Sequence, residues 1–234
     1  MESTHLKNTR DGLVQFSMAL ADEKGPQRLI GFSRPELFNK LKAKKSQCHM
    51  DATFDCCPRG FYQCLIIAIY DEELNIFQPC FWVLMTRKTE RMYVFALEMI
   101  KAIVGKQWDP QWFLVDFELG MVNSIRQVFP GCTAVGCFFH FKQAATRKMM
   151  ECGMPKDMSF NVAKWLDLMT VIPKDEVFTK FIPYFEYNIL EVYGEQLGTQ
   201  FIGPFNNFVS YLKSHWDNPK ILDLISYSDK KMEL

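Results

Sequence analysis

Between Gln111 and Cys152 two short runs of bulky apolar residues alternate with two segments of helical period. This stretch restricts the fold more than any other. The first run, Trp112-Phe113-Leu114-Val115, stops at Asp116. A run so short and unalternating suits a strand buried on both faces. Leu119, Val122, Ile125 and Val128/Phe129 then recur at helical spacing, with Asn123, Arg126 and Gln127 between them. Pro130-Gly131 stops that helix. A second strand is predicted over Thr133–Phe139, and a second helix from near His140 with Phe141, Ala144/Ala145, Met149 and Cys152 on one side. Strand, helix, strand, helix is a parallel α/β unit. Asp116 then falls at the carboxyl end of its strand, the edge where open α/β sheets bind ligands.

The other segments fit around this unit. Residues 47–86 read as an antiparallel meander. In it, Cys48–Phe54 (CHMDATF) alternates, with Asp51 an acid inside an otherwise apolar strand. Phe61–Tyr70 is a strong strand, Asp71–Asn75 a hairpin connection, and Phe77–Thr86 a third strand in which Pro79 argues for an edge or a bulge. Thr89-Glu90 opens a helix with Val94, Leu97, Ile100 and Val104 on its face, ended by Gly105. Residues 1–46 are expected to be a lead-in with short helices, one suggested by the loose spacing of Leu13, Phe16 and Leu20 and another over 35–42, with a turn at 21–27. After Gly153 the period is helical throughout: 156–170, 174–193 and 205–216. The expected division is therefore 1–46 lead-in, 47–153 α/β core, and 154–234 helical insertion or appendage.

Composition narrows the function classes. With 27 basic and 27 acidic residues the net charge is zero, so any nucleic-acid surface must be a local patch. No run approaches membrane-span length, and the polar start carries no secretory signal, which predicts a nuclear or cytoplasmic protein. The eight cysteines lack zinc-finger pairing and read as reduced, mostly buried thiols. Lys40, Lys42, Lys44 and Lys45 form a basic cluster just before Asp51, either a solvated face or a phosphate-contacting strip.

Three strands, a helix, then parallel strands separated by helices is the order of the ribonuclease H-like fold, a mixed α/β sheet. There an acid on the first strand lies beside an acid at the end of the fourth. Asp51 and Asp116 hold those positions. Neighbouring carboxylates favour a divalent cation. Two Mg²⁺ ions roughly 3.5–4 Å apart could activate a water or 3′-hydroxyl at a phosphodiester. A structural ion pair or a helix cap is the plainer alternative for either aspartate.

Local motifs favour the first reading. CHMDATF with Pro58 and Phe61-Tyr62-Gln63, Lys88-Thr89 with Tyr93, DFELGMVNSIRQVFPG, and GCFFHF followed by a basic helix together resemble the Mutator-like element (MULE) transposases. The resemblance covers residues 29–153, with a looser extension to Tyr211-Leu212 and Trp216. It implies a DDE-type transposase core acting on DNA at transposon ends, with Mg²⁺ or Mn²⁺, and an α-helical insertion after the second Asp. It is compatible with a homo-oligomer. By resemblance Asp51 and Asp116 are the first two metal-binding acids, and Cys137 and His140 match a Cys-x-x-His motif that shapes the site; zinc is not expected, since no second ligand pair is suitably spaced. Lys142, Arg147 and Lys148, like Lys44 and Lys45, are phosphate-contact candidates. Ala52 replaces the family's usual Gly, and the family's final Glu segment is not found; Glu118, Glu186 and Glu191 are weak substitutes. The expectation is a truncated or domesticated copy, either impaired in catalysis or serving as an inactive DNA-associated or protein-interaction module.

Overall fold

The computed structural model describes residues 3–5, 12–22 and 25–227. Two residues of the predicted 21–27 turn, most of the polar start and the segment 228–234 lie outside them. The chain forms two compact units, residues 1–134 and 135–234.

The first unit is built on a mixed sheet. Its strands are β1 (Ser3–His5), β2 (Val14–Asp22), β3 (Gly25–Phe32), β4 (Gln47–Thr53), β5 (Gln63–Asp71), β6 (Ile76–Met85) and β7 (Trp112–Val115); β8 (Thr133–Gly136) begins in this unit. The order is β1-β2-β3-β6-β5-β4-β7-β8. The meander β4-β5-β6 is antiparallel, and β7 runs parallel to β4. The short helix α1 (Pro35–Phe38) continues as a 3₁₀ turn over Asn39–Lys42, as the sequence suggests. α2 (Glu90–Val104) follows β6, with the Thr89 hydroxyl accepting from the Met92 N–H at its start. α3 (Leu119–Val128) follows β7.

Alternation explains which sheet face is core. Cys48 and Met50 on β4, Leu65 and Ile67 on β5, Phe81, Val83 and Met85 on β6, and Phe113 and Val115 on β7 are all fully buried. His49, Asp51, Ile66, Trp82, Leu84 and Leu114 occupy intervening positions and are half-buried. The alternating half-exposure of β4 places Asp51 on the face opposite Met50.

The structure corrects the reading of residues 1–46. Val14–Asp22 and Gly25–Phe32 form an antiparallel hairpin whose second strand pairs with β6, rather than a helical lead-in. Phe16, Met18 and Leu20 are buried at period two, and Met18 supplies the alternation that the spacing of Leu13, Phe16 and Leu20 conceals. Gly31 lies opposite Phe16, and a Cβ there would stand 2.1 Å from the Phe16 ring. Pro79 is accommodated as its chemistry demands. β3 pairs only with Trp82–Met85, so Pro79 lies on a locally open edge, and the register shifts beside it between Ile67 and Ala68.

The second unit is helical: α4 (Phe138–Glu151), α5 (Lys156–Trp165), α6 (Lys174–Glu176), α7 (Ile182–Leu197), α8 (Thr199–His215) and α9 (Pro219–Ile225). α4 starts at Phe138 rather than near His140, because β8 ends at Gly136 and Cys137 already has the extended backbone of an N-cap. The predicted 174–193 helix is interrupted by a π-helical turn at Val177–Phe181, where Val177 and Phe181 are buried. α9 goes unpredicted although Asn218-Pro219 is a helix-start signal, its Asn218 carboxamide accepting from the Lys220 N–H at 3.0 Å. Phe185, Phe201, Phe205 and Phe208 fill this unit's core. Among the described residues no helix is long and apolar enough to cross a membrane.

A candidate acid-pair site at the carboxyl ends of two parallel strands

Strand pairing brings the two predicted aspartates together. β4 and β7 run parallel with Cys48 opposite Phe113, His49 opposite Leu114 and Met50 opposite Val115. Asp51 is the next residue on β4 and Asp116 directly follows the last residue of β7, in a sheet whose adjacent strands lie about 4.8 Å apart. Both are half-buried. Each carboxylate accepts the N–H of the residue that follows it: Asp51 Oδ1 from Ala52 at 2.8 Å, Asp116 Oδ1 from Phe117 at 2.7 Å. This shared local bond holds both acids close to the backbone at one rim of the sheet.

A buried polar chain supports the loop after Asp116. The Gln63 amide on β5 donates to the Tyr93 hydroxyl on α2 at 2.9 Å, and that hydroxyl donates to Glu118 Oε1 at 3.1 Å. Glu118 also pairs with Lys88 at 3.9 Å. Burial pushes the Tyr93 phenol well above its ordinary pKa, and the negative charges of Glu118 and Asp116 push it further the same way. Tyr93 therefore stays a protonated donor. Glu118, at the N-cap of α3, has its carboxylate engaged with Tyr93 and Lys88. Sequence reasoning passed over Gln63 and Tyr93 as site-supporting residues. The legible signal was a Gln inside an apolar strand, which must find a partner once buried.

The remaining candidates are carried by other elements. Lys44 and Lys45 precede the amino end of β4 and line a cleft of about 510 Å³ with Asp71, Glu72 and Glu73, at the opposite end of the strand from Asp51. Cys137 and His140 belong to the second unit; Cys137 is buried, its carbonyl accepting from the Phe141 N–H at 3.2 Å, and the His140 ring packs on Phe139. Lys142 pairs with Asp167 at 2.6 Å, Lys148 with Glu151 at 3.2 Å, and Arg147 is exposed. Glu186 pairs with Lys213 on the helical unit's surface, and Glu191 is exposed there. The eight cysteines are all free thiols.

Among the described residues no three of His, Cys, Asp and Glu gather closely enough to hold a metal ion jointly. The acid pair still suits one Mg²⁺, which commonly takes one or two carboxylates and completes its shell with water and phosphate oxygen.

A mixed α/β domain with two acids in register at the carboxyl ends of neighbouring parallel strands is the class that this geometry defines. Residues 47–144 match the family model of the MULE transposase domain. The match takes in β4 to β8 and the first half of α4, and with them Asp51, Asp116, Cys137 and His140. No curated protein matches the chain.

Proposed function

We propose that residues 47–144 form a ribonuclease H-like, DDE-type transposase core that cleaves and joins DNA with a divalent cation held by Asp51 and Asp116. The observation that carries this reading is the β4–β7 register, which aligns two carboxylates from distant segments at one rim. A bound Mg²⁺ or Mn²⁺ would polarise a phosphate oxygen and lower the pKa of a coordinated water or 3′-hydroxyl. The chain's own residues do the positioning. The Ala52 and Phe117 N–H groups orient the two carboxylates, and Tyr93 holds Glu118 and so the turn that follows Asp116. DNA is the proposed partner through the transposase domain, with transposon ends as substrate. The test is nicking and strand transfer on terminal-inverted-repeat DNA with Mg²⁺ or Mn²⁺. Activity lost in both Asp51→Asn and Asp116→Asn supports the assignment; metal-dependent activity that survives both substitutions rejects it.

The engagement of Glu118 favours a second reading. This nearby acid is committed to Tyr93 and Lys88, leaving the aspartate pair as the prospective ligands of a single ion. A domesticated module of this kind would associate with DNA without cutting it. Titration calorimetry separates the two: uptake of two Mn²⁺ ions favours the catalytic core, and uptake of one ion or none with an intact fold favours the inactive module.

A further inference from the structure

Along α4 and α5 an open groove of about 580 Å³ is lined by Phe139, Lys142, Arg147, Met150, Phe160 and Lys164, with Thr146 and Ala163 buried at its floor. Three bulky apolar side chains stand in water there: Phe139 is 67% exposed, Phe160 50% and Met150 39%. Side chains of this size, clustered and exposed, mark contact surfaces rather than ordinary surface scatter. No acid lines the groove, whereas three cations do. Lys142 is tied to Asp167 and Lys164 to the Asn161 amide at 3.1 Å, while Arg147 has no partner among the described residues.

We infer that this groove docks an acidic amphipathic helix of a partner protein. Phe139, Gln143, Thr146 and Met150 follow one another on a single stripe of α4 at helical spacing. From Phe139 to Met150 that stripe runs about 16 Å, or three turns, at 1.5 Å per residue. A partner helix with apolar residues at i, i+4, i+7 and i+11 matches this length and buries the exposed Phe and Met side chains. Acids flanking its stripe meet Arg147 and Lys164. The exposed Phe139, Met150 and Phe160 side chains favour such a helix over a nucleic-acid strand, which needs cations repeated along its phosphates. Neither Asp51 nor Asp116 lines this groove, so docking there is independent of the proposed DNA activity.

The test is fluorescence anisotropy of the full chain with a labelled peptide of about four turns, Leu on one face and Glu on the other. Controls are a scrambled peptide of the same composition and a labelled single-stranded oligonucleotide. The expected result is micromolar binding of the amphipathic peptide, at least about tenfold weaker for the scrambled one. Phe160→Ser and Arg147→Glu, both at exposed positions, should each weaken binding about tenfold with unchanged circular dichroism and melting. Equal binding of the scrambled peptide, unchanged affinity in both variants, or no binding at about 100 µM overturns the proposal. Displacement of the peptide by the oligonucleotide, with both variants losing the oligonucleotide equally, reassigns the groove to nucleic acid.

Discussion

Tyr93→Phe removes a single oxygen, and the buried chain it serves sets the cost. The Gln63 side chain is fully buried, and its Oε1 has no partner among the described residues. Its Nε2 bonds the Tyr93 hydroxyl at 2.9 Å; its other contact is a weak one to Met85 Sδ at 3.5 Å. Without the hydroxyl the carboxamide is left almost wholly unsatisfied, a penalty of about 1–3 kcal/mol. Glu118 also loses a donor, but its side chain is 26% exposed and keeps Lys88, so water limits that loss to below about 1 kcal/mol. Together these predict a destabilisation of about 1–4 kcal/mol, roughly a 5- to 900-fold acceleration of exchange at globally protected amides. Native-state hydrogen exchange at the β5 and β7 amides reads the first unit alone. Placing Gln63→Leu beside Tyr93→Phe removes the orphaned amide, so the double variant should be more stable than the two single costs sum to, by about 1–2 kcal/mol. Exchange in Tyr93→Phe within about twofold of wild type, or strict additivity in the cycle, would refute the reasoning.

The other predictions draw on different parts of the molecule. Mn²⁺ is expected to raise the melting temperature of the unmodified protein, and Asp51→Asn or Asp116→Asn to abolish that rise; a rise retained in both variants means the ion binds elsewhere. Gly31→Ala should destabilise the β2–β3 hairpin by about 1–3 kcal/mol in urea unfolding, because the new methyl meets the Phe16 ring carbons at 2.1–2.6 Å; Phe16→Leu in the same background should recover part of that loss. Burial raises the thiol of Cys48 to about 12 and that of Cys80 to about 11, from 9.0. The folded state thus keeps protons that the unfolded chain releases above about 9, and stability present below that pH is lost as pH rises through 11 to 12. Thermal melts between pH 8 and 11 should show this fall, lessened in Cys80→Ala relative to its own value at about pH 8.

Much of the first unit was legible because burial imposes local periods. The run Trp112–Val115 gave a strand ending at Asp116, and the alternation of Cys48–Phe54 put Asp51 on a strand beside it. The Thr89 cap and the face of Val94, Leu97, Ile100 and Val104 marked α2, and Pro79 announced its bulge. Phe16, Met18 and Leu20 misled because apolar residues at 13, 16 and 20 also fit a helix, and only pairing of β3 with β6 decides between the periods. The chain order therefore determined which residues could be strands, helices and acids of a site. The tertiary structure alone decided that Met50 aligns with Val115, so that Asp51 and Asp116 share a rim, and that Gln63, Tyr93 and Glu118 form one chain of hydrogen bonds. The physical reason is range. Periodicity reports how a segment meets its own neighbours and water, whereas register and buried polar pairing depend on segments that the sequence keeps apart.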